Sequence, residues 1–142
     1  MEIKKSAIVP HSAAKMYRLV DDIVHYPQFL PWCQKAVEHD RTASHVTASL
    51  DVARLGITKS FTTRNTLIFP TSIQIELIEG PFSHLQGLWT FEPLGDGCQV
   101  KLHLHYDTEG RWFDMAFSTV FDYIANSLVE AFCERALEIY KE

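Results

Sequence analysis

Residues 111–142, RWFDMAFSTVFDYIANSLVEAFCERALEIYKE, form the stretch of sequence that decides the fold. The stretch contains neither glycine nor proline, and its apolar residues recur every three or four positions, as on one face of an α-helix. We predict one helix roughly 45 Å long, which needs a broad apolar surface on which to lie. The residues on its apolar face are Phe113, Phe117, Val120, Phe121, Ile124, Leu128, Phe132, Ala136, Ile139 and Tyr140.

The chain before this helix changes to a period of two, which predicts β-strands. Clean alternation indicates an antiparallel sheet with one face in water, so the helices must share the other face. The predicted strands cover residues 2–9, 34–40, 43–54, 57–69, 72–79, 85–94 and 98–108. The predicted inward residues include Ile3, Val46, Ala48, Leu50, Val52, Phe61, Leu67, Phe69, Ile73, Ile75, Leu77, Leu85, Trp89, Phe91, Val100, Leu102, Leu104 and Tyr106.

Two short helical segments are predicted between the first two strands. Ser12 can cap a helix whose apolar residues fall on one face. The segment VHYPQFLPWCQ (residues 24–34, the rim loop) follows, and its two prolines forbid a long regular helix. Its large apolar side chains allow two interpretations. They plug the core, or they face a cavity from its rim.

Composition and charge place the chain among ordinary globular proteins of one domain, residues 1–142. A formal net charge of −5 argues against a general nucleic-acid binder, so we expect no DNA partner. There is no apolar run of membrane-spanning length and no signal-peptide pattern. The three cysteines are scattered, which indicates reduced thiols and a cytoplasmic location.

The sequence gives no pattern for catalysis or metal binding. It has no phosphate-binding loop, no dinucleotide fingerprint and no serine-protease string. His103 and His105 share one strand face, but no cysteine or carboxylate is placed to complete a metal site, and the alternation turns both outward. We therefore expect a protein that is not an enzyme, with no catalytic residue and no metal.

Three strings carry a resemblance to a known family, and they occur in the family's order: YPQFLPWC (26–33), EGPFSHLQGLWTFEPLGDGC (79–98) and VEAFCERALEIY (129–140). The chain resembles the START-like coenzyme Q-binding / polyketide cyclase-like family, which includes ribosome association toxins. The resemblance implies an α+β helix-grip (START/Bet v 1-like) fold. In this fold a curved seven-stranded antiparallel sheet wraps around the long C-terminal helix, the first strand lies beside the last, and an elongated apolar cavity separates helix from sheet.

The resemblance implies a hydrophobic ligand in that cavity, and our first hypothesis is ubiquinone or a similar isoprenoid lipid that supports respiration, with peripheral contact at the inner membrane. Such a pocket is mostly apolar with a few polar groups. We expect Phe117, Phe121 and Ile124 to face the sheet across a gap, and Thr63 and Asn65 to hydrogen-bond a ligand carbonyl. The other predicted lining residues are Tyr26, Phe29, Leu30, Trp32, Trp89, Phe91 and Leu128. The alternative is that these side chains simply fill the core.

The second hypothesis, also implied by the resemblance, is a toxin that binds the large ribosomal subunit and blocks 70S assembly. RNA binding needs a basic patch. The candidate bases fall in two groups, and ordinary solvated charge is the favoured interpretation of both. A third hypothesis, a cyclase-like enzyme, would need an acid–base pair inside the cavity. The basic groups are Lys4, Lys5, Lys15 and Arg18, and Arg54, Lys59 and Arg64.

Overall fold

The computed structural model describes residues 1–108 and 115–140. Within these residues the chain forms seven strands, two α-helices and a short 3-10 helix. Their order is β1 (Glu2–Val9), α1 (Ala13–Asp21), the 3-10 helix (Ile23–Gln28), β2 (Cys33–Arg41), β3 (His45–Arg54), β4 (Ile57–Ile68), β5 (Ser72–Glu79), β6 (Phe82–Leu94), β7 (Gly97–Thr108) and α2 (Met115–Ile139).

All seven strands belong to one antiparallel sheet with the order β1-β7-β6-β5-β4-β3-β2. Consecutive strands from β2 to β7 pair as hairpins, and β1 closes the order by pairing with β7. The β1–β7 register runs from Glu2 opposite His105 to Val9 opposite Cys98. The predicted antiparallel sheet, with its first strand beside its last, is therefore confirmed.

The inner face of this sheet carries the core, and α2 lies on it. Every predicted inward position of β7 is buried, and the residues between them are exposed or partly exposed. The buried residues of α2 follow the predicted spacing of three and four. They are Phe117, Val120, Phe121, Ile124, Ala125, Val129, Phe132 and Ala136.

Local chemistry explains where α1 begins and how its end is held. The Ser12 hydroxyl accepts a hydrogen bond from the Lys15 backbone N–H at 3.1 Å, which confirms the predicted N-cap. At the other end, the Arg41 guanidinium donates to the carboxylates of Asp21 (2.9 Å) and Glu38 (2.8 Å). The bond to Asp21 attaches the C-terminus of α1 to β2, and the bond to Glu38 lies within β2.

The start of β6 and the facing of two apolar side chains differ from the predictions. Strand β6 begins at Phe82, three residues early, because a bulge between Phe82 and His84 interrupts the alternation. Phe69 was predicted to point inward, but it follows the end of β4 in a turn and is 53% exposed. Ile139, predicted on the buried face of α2, is exposed at the end of the helix. The predicted helical start at 111–114, with Phe113, lies outside the described residues.

Candidate functional site: the helix–sheet interior and the rim loop

The N-terminal half of α2 meets the sheet through a cluster of aromatic rings. The Phe121 ring lies 4.8 Å from the rings of Phe82 and Tyr106, centroid to centroid, and meets both edge-on. Phe117 lies 5.5 Å from Phe82, and Phe61 lies 6.0 Å from Phe121. These are contact distances for edge-to-face rings. The prediction that Phe117 and Phe121 face the sheet across a gap is therefore wrong, because rings from β4, β6 and β7 fill the space between helix and sheet.

Ile124 is also buried, one turn further along α2. Leu128, predicted with it as a lining residue, is only partly buried and packs against the margin of the core. Leu128 therefore lies at the edge of the core, although Val129, Phe132 and Ala136 in the same half of α2 are buried.

A second aromatic cluster joins the rim loop to the sheet through Phe132. The Phe132 ring lies 5.4 Å from Tyr26, 5.3 Å from Phe29 and 5.4 Å from Trp89. Trp89 in turn stacks on Phe91 with an interplanar angle of 8°. The structure thus brings together four of the predicted lining residues. Phe132 is not among the predicted site residues, although its position four residues after Leu128 on the apolar face is the signal that could have found it.

An open groove of about 280 Å³ separates the rim loop from the flank of α2. We call it the rim groove. Of the predicted lining residues, Phe29, Leu30 and Trp32 border this groove, whereas those of the sheet and of the first half of α2 do not. Its volume lies just below the usual range for small-molecule sites, so it fits a ring-sized group but not a long isoprenoid tail. The remaining lining residues are Pro31, Tyr123, Ser127, Glu130, Ala131, Glu134, Arg135 and Glu138.

Two cationic side chains are held against aromatic rings beside the rim groove. The Arg54 guanidinium lies 3.7 Å from the centroid of the Tyr123 ring, and this contact joins the β3–β4 hairpin to α2. The Arg135 guanidinium lies 5.1 Å from the Phe29 ring and donates a hydrogen bond to the Gln28 side chain at 3.0 Å. The groove is therefore framed by charged groups as well as by rings.

Thr63 and Asn65 occupy the inner face of β4, as the alternation predicts. Asn65 pairs with Val46 of β3 and Ile75 of β5, and it is 9% exposed. The Thr63 hydroxyl donates to the Asn65 side-chain oxygen at 3.3 Å. The structure thus places one polar pair on an otherwise apolar surface, and its proposed role in holding a ligand carbonyl stays a prediction.

Burial favours the neutral forms of two titratable groups in the rim loop. Burial, reinforced by the nearby Asp21 carboxylate, raises the pKa of the Tyr26 phenol well above its usual range, and its hydroxyl donates to the Val20 carbonyl. Burial raises the pKa of the Cys33 thiol to about 11. A thiol that stays protonated is a poor nucleophile. No three His, Cys, Asp or Glu side chains among the described residues are grouped to hold a metal ion.

The outer face of the sheet carries the two histidines considered above, and both point outward as predicted. His103 Nε2 lies 2.8 Å from a Glu2 carboxylate oxygen, and His105 Nδ1 lies 3.3 Å from His84 Nε2. No helix in the described part of the chain is long and apolar enough to cross a membrane.

The chain is similar to several proteins of known name. A family model described as polyketide cyclase / dehydrase and lipid transport matches residues 9–133. The ribosome association toxin RatA of Escherichia coli K12 is 42% identical over 98% of this chain and 89% of its own length. The mitochondrial coenzyme Q-binding protein COQ10 of Drosophila melanogaster is 24% identical over 92% of this chain and 56% of its own.

Solved structures show the fold independently of sequence identity. The Zhui aromatase/cyclase of Streptomyces superposes with a TM-score of 0.86, covering 99% of this chain and 96% of its own, at 17% identity. This similarity shows that the two chains share the helix-grip fold. Because the identity is only 17%, it says nothing about a shared activity.

Proposed function

Because this chain belongs to the polyketide cyclase / dehydrase and lipid transport family, we propose that it is a binding protein without catalytic activity and that its partner is the ribosome. One observation carries the proposal: similarity to a ribosome association toxin extends over nearly the whole chain and nearly the whole relative. The resemblance described above makes the large subunit the expected contact. This partner implies a cytoplasmic location.

The packing of the interior supports a binding role over a catalytic one. A cyclase-like reaction needs an acid and a base that reach a bound substrate. Here the Tyr106 hydroxyl donates to Asp122, and burial together with this carboxylate raises the pKa of the Tyr106 phenol well above its usual range. The rings of Phe82 on β6 and Phe121 on α2 both contact the Tyr106 ring.

The test of a ribosome partner is sedimentation. Purified protein is mixed with isolated large and small subunits and centrifuged through a sucrose cushion. We expect it to pellet with the large subunit and, when overproduced, to lower the 70S peak of a lysate gradient. Equal recovery with and without ribosomes, together with unchanged gradient profiles, would contradict the proposal.

A second candidate function, binding of a hydrophobic ligand such as ubiquinone, is favoured by the aromatic path that starts at the rim groove. Phe29 borders the groove and contacts Phe132, and Phe132 contacts Trp89 on the sheet. A quinone ring could lie in the groove, but its isoprenoid tail could reach the sheet only if these side chains moved apart. A quinone ligand would imply contact with the inner membrane.

This second candidate is tested by extraction of protein purified from cells. We expect ubiquinone or another isoprenoid lipid in the solvent extract by mass spectrometry. Ala131 lines the groove, so Ala131→Trp should lower the bound lipid severalfold, whereas Leu137→Trp, on an exposed position of the same helix, should not. The absence of lipid from the wild-type extract would contradict this second candidate function. Equal amounts of lipid in both variants would show that the lipid does not bind in the rim groove.

A further inference from the structure

The rim groove combines aromatic rings on one side with carboxylates on the other. Rings of the rim loop, Phe29 and Trp32 among them, border the first side. Glu130, Glu134 and Glu138 of α2 border the second, and we call these three the carboxylate row. Their spacing of four residues places them along one side of the helix, and all three are exposed.

The carboxylate row is only partly neutralised by the chain itself. Like charges four residues apart on a helix repel each other. Arg135 relieves this repulsion at Glu138, since its guanidinium lies 3.4 Å from that carboxylate. Within the part of the chain that the structure describes, no ion pair engages Glu130 or Glu134. Their charges are therefore available to the cations of a partner.

Carboxylates also outnumber bases around the groove as a whole. A second depression, of about 230 Å³, shares Arg135 with the rim groove and adds Asp22 and His25. Arg54, held over an aromatic ring of the groove, adds one further base. With these neighbours included, four carboxylates face two arginines, and His25, whose ring lies 2.7 Å from Asp22, adds a positive charge only when it is protonated. The groove is thus complementary in charge to a cationic partner.

The rings of the groove already hold guanidinium groups of this chain. The Arg54 guanidinium lies 3.7 Å from the centroid of the Tyr123 ring, and that of Arg135 lies 5.1 Å from the centroid of the Phe29 ring. An aromatic face attracts a cation, and a nearby carboxylate accepts its hydrogen bonds. A basic side chain of a partner would meet the same two kinds of group along the carboxylate row.

The length of the carboxylate row fits an extended segment of polypeptide. Glu138 lies eight positions after Glu130, which is about 12 Å along a helix. An extended chain rises about 3.3 Å per residue, so about four residues span the row. Successive side chains of such a segment point to opposite sides, so basic side chains can face the row while the residues between them face the rim loop.

We propose that the rim groove docks an extended, arginine- or lysine-rich segment of a protein partner. The inference rests on the proposed function for the identity of that partner, which is then a ribosomal protein. Ribosomal RNA does not fit the groove, because the carboxylate row repels phosphate. Docking through exposed charges weakens as the salt concentration rises.

The test uses the full chain with two carboxylates neutralised, Glu130→Gln with Glu134→Gln, which we call the groove variant. The control variant, Glu76→Gln with Glu92→Gln, makes the same change in net charge at exposed positions of β5 and β6. Glutamine and glutamate have similar helix propensities, so the groove variant should fold, and circular dichroism with a thermal melt checks this.

Binding is measured in two ways. The first is sedimentation with purified large subunits at several salt concentrations. The second is fluorescence anisotropy of a labelled octapeptide with blocked ends, in which arginine and alanine alternate, mixed with the protein alone at low salt.

We expect the groove variant to bind both the large subunit and the peptide at least about fivefold more weakly than wild type, because two charge pairs are lost. The control variant should bind within about twofold of wild type. An RNA contact at this groove predicts the opposite sign, because removing carboxylates lowers the repulsion of phosphate. Tighter binding of large subunits by the groove variant therefore overturns the proposal.

The remaining outcomes separate this proposal from the proposed function. If wild type and the groove variant sediment equally with large subunits, the ribosome partner stands and the groove assignment is overturned. If wild type does not sediment with ribosomes but binds the peptide more tightly than the groove variant does, the groove assignment stands and the ribosome partner fails. If wild type does not bind the peptide, or if the groove variant binds it equally well, the groove assignment is overturned.

Discussion

Phe121 is the residue on which the packing of α2 against the sheet depends most directly. Its ring contacts four others, those of Phe61, Phe82, Tyr106 and Phe117. We predict that Phe121→Ala lowers the free energy of unfolding by about 3–5 kcal/mol, because the rings around it cannot all move in to fill the space. Urea titration followed by circular dichroism measures the change.

The control for this substitution is Leu137→Ala on the same helix. Leu137 is 62% exposed, so its truncation should change stability by no more than about 0.5 kcal/mol. A loss below about 1 kcal/mol for Phe121→Ala would mean that the predicted gap exists after all and that the ring contacts contribute little.

Tyr17 makes the stability of the folded state depend on pH in the alkaline range. Burial, with a further contribution from the Asp21 carboxylate, raises the pKa of its phenol to about 12, from an ordinary value of 10.0. A raised pKa in the folded state means that the neutral phenol is the stabilised form. The contribution is therefore fully present below pH 10 and is lost as the pH rises toward 12.

We predict that the melting temperature falls between pH 10 and pH 11.5 and that Tyr17→Phe makes this fall shallower. Burial also raises the pKa values of Tyr26 and Tyr106, so a residual slope will remain in the variant. Thermal melts at fixed ionic strength measure both curves, and parallel curves for wild type and Tyr17→Phe would refute the role of this residue.

At the scale of elements, the β1–β7 edge depends on Gly97. A Cβ atom at Gly97 would lie 1.9 Å from the Val9 carbonyl oxygen, and neither backbone can move without breaking the pairing of β1 with β7. We predict that Gly97→Ala destabilises the protein by several kcal/mol and exposes β1 amides to hydrogen exchange. Exchange measured by mass spectrometry on peptides from residues 1–12 reports it directly.

Gly95 provides the comparison within the same hairpin. It adopts φ +59° and has open space where a Cβ would lie, so Gly95→Ala should cost only about 1–2 kcal/mol through backbone strain. If both variants lose stability equally, crowding at Val9 is not the cause.

Local patterns predicted most of these elements because each strand and helix keeps its own period. The bounds of β1 and β5 follow directly from alternation. The start of β6 does not, because the bulge at Phe82 leaves two residues between the inward side chains of Phe82 and Leu85. A bulge depends on the partner strand, so the period of β6 alone cannot reveal it.

At the scale of the whole molecule, buried residues from every strand and from both α-helices belong to one continuous core. We therefore predict a single cooperative unfolding transition, in which circular dichroism and the fluorescence of the buried tryptophans Trp32 and Trp89 change together. Separate midpoints would show that the rim loop, which carries Trp32, unfolds independently of the sheet around Trp89.

Several of the predicted site residues lie together at the rim, but the shape of the candidate site could not be predicted from the sequence. Phe29, Leu30 and Trp32 do border a groove, and Tyr26 lies against Phe29. Trp89 is joined to Phe29 through Phe132, and Phe91 lies against Trp89. Whether a set of apolar side chains lines a cavity or fills it depends on differences of about one ångström in the separation of side chains from different elements. Those distances are not present in the spacing of any one element.

The sequence by itself determined the elements and their inner and outer faces, because helical and strand periods are local properties of consecutive residues. Only the tertiary structure decided that Phe117 and Phe121 meet Phe82 and Tyr106 in contact, and that Lys4 lies beside His103. The physical reason is the same for both. Each contact joins elements far apart in the chain, and their separation is set by how all the side chains pack at once.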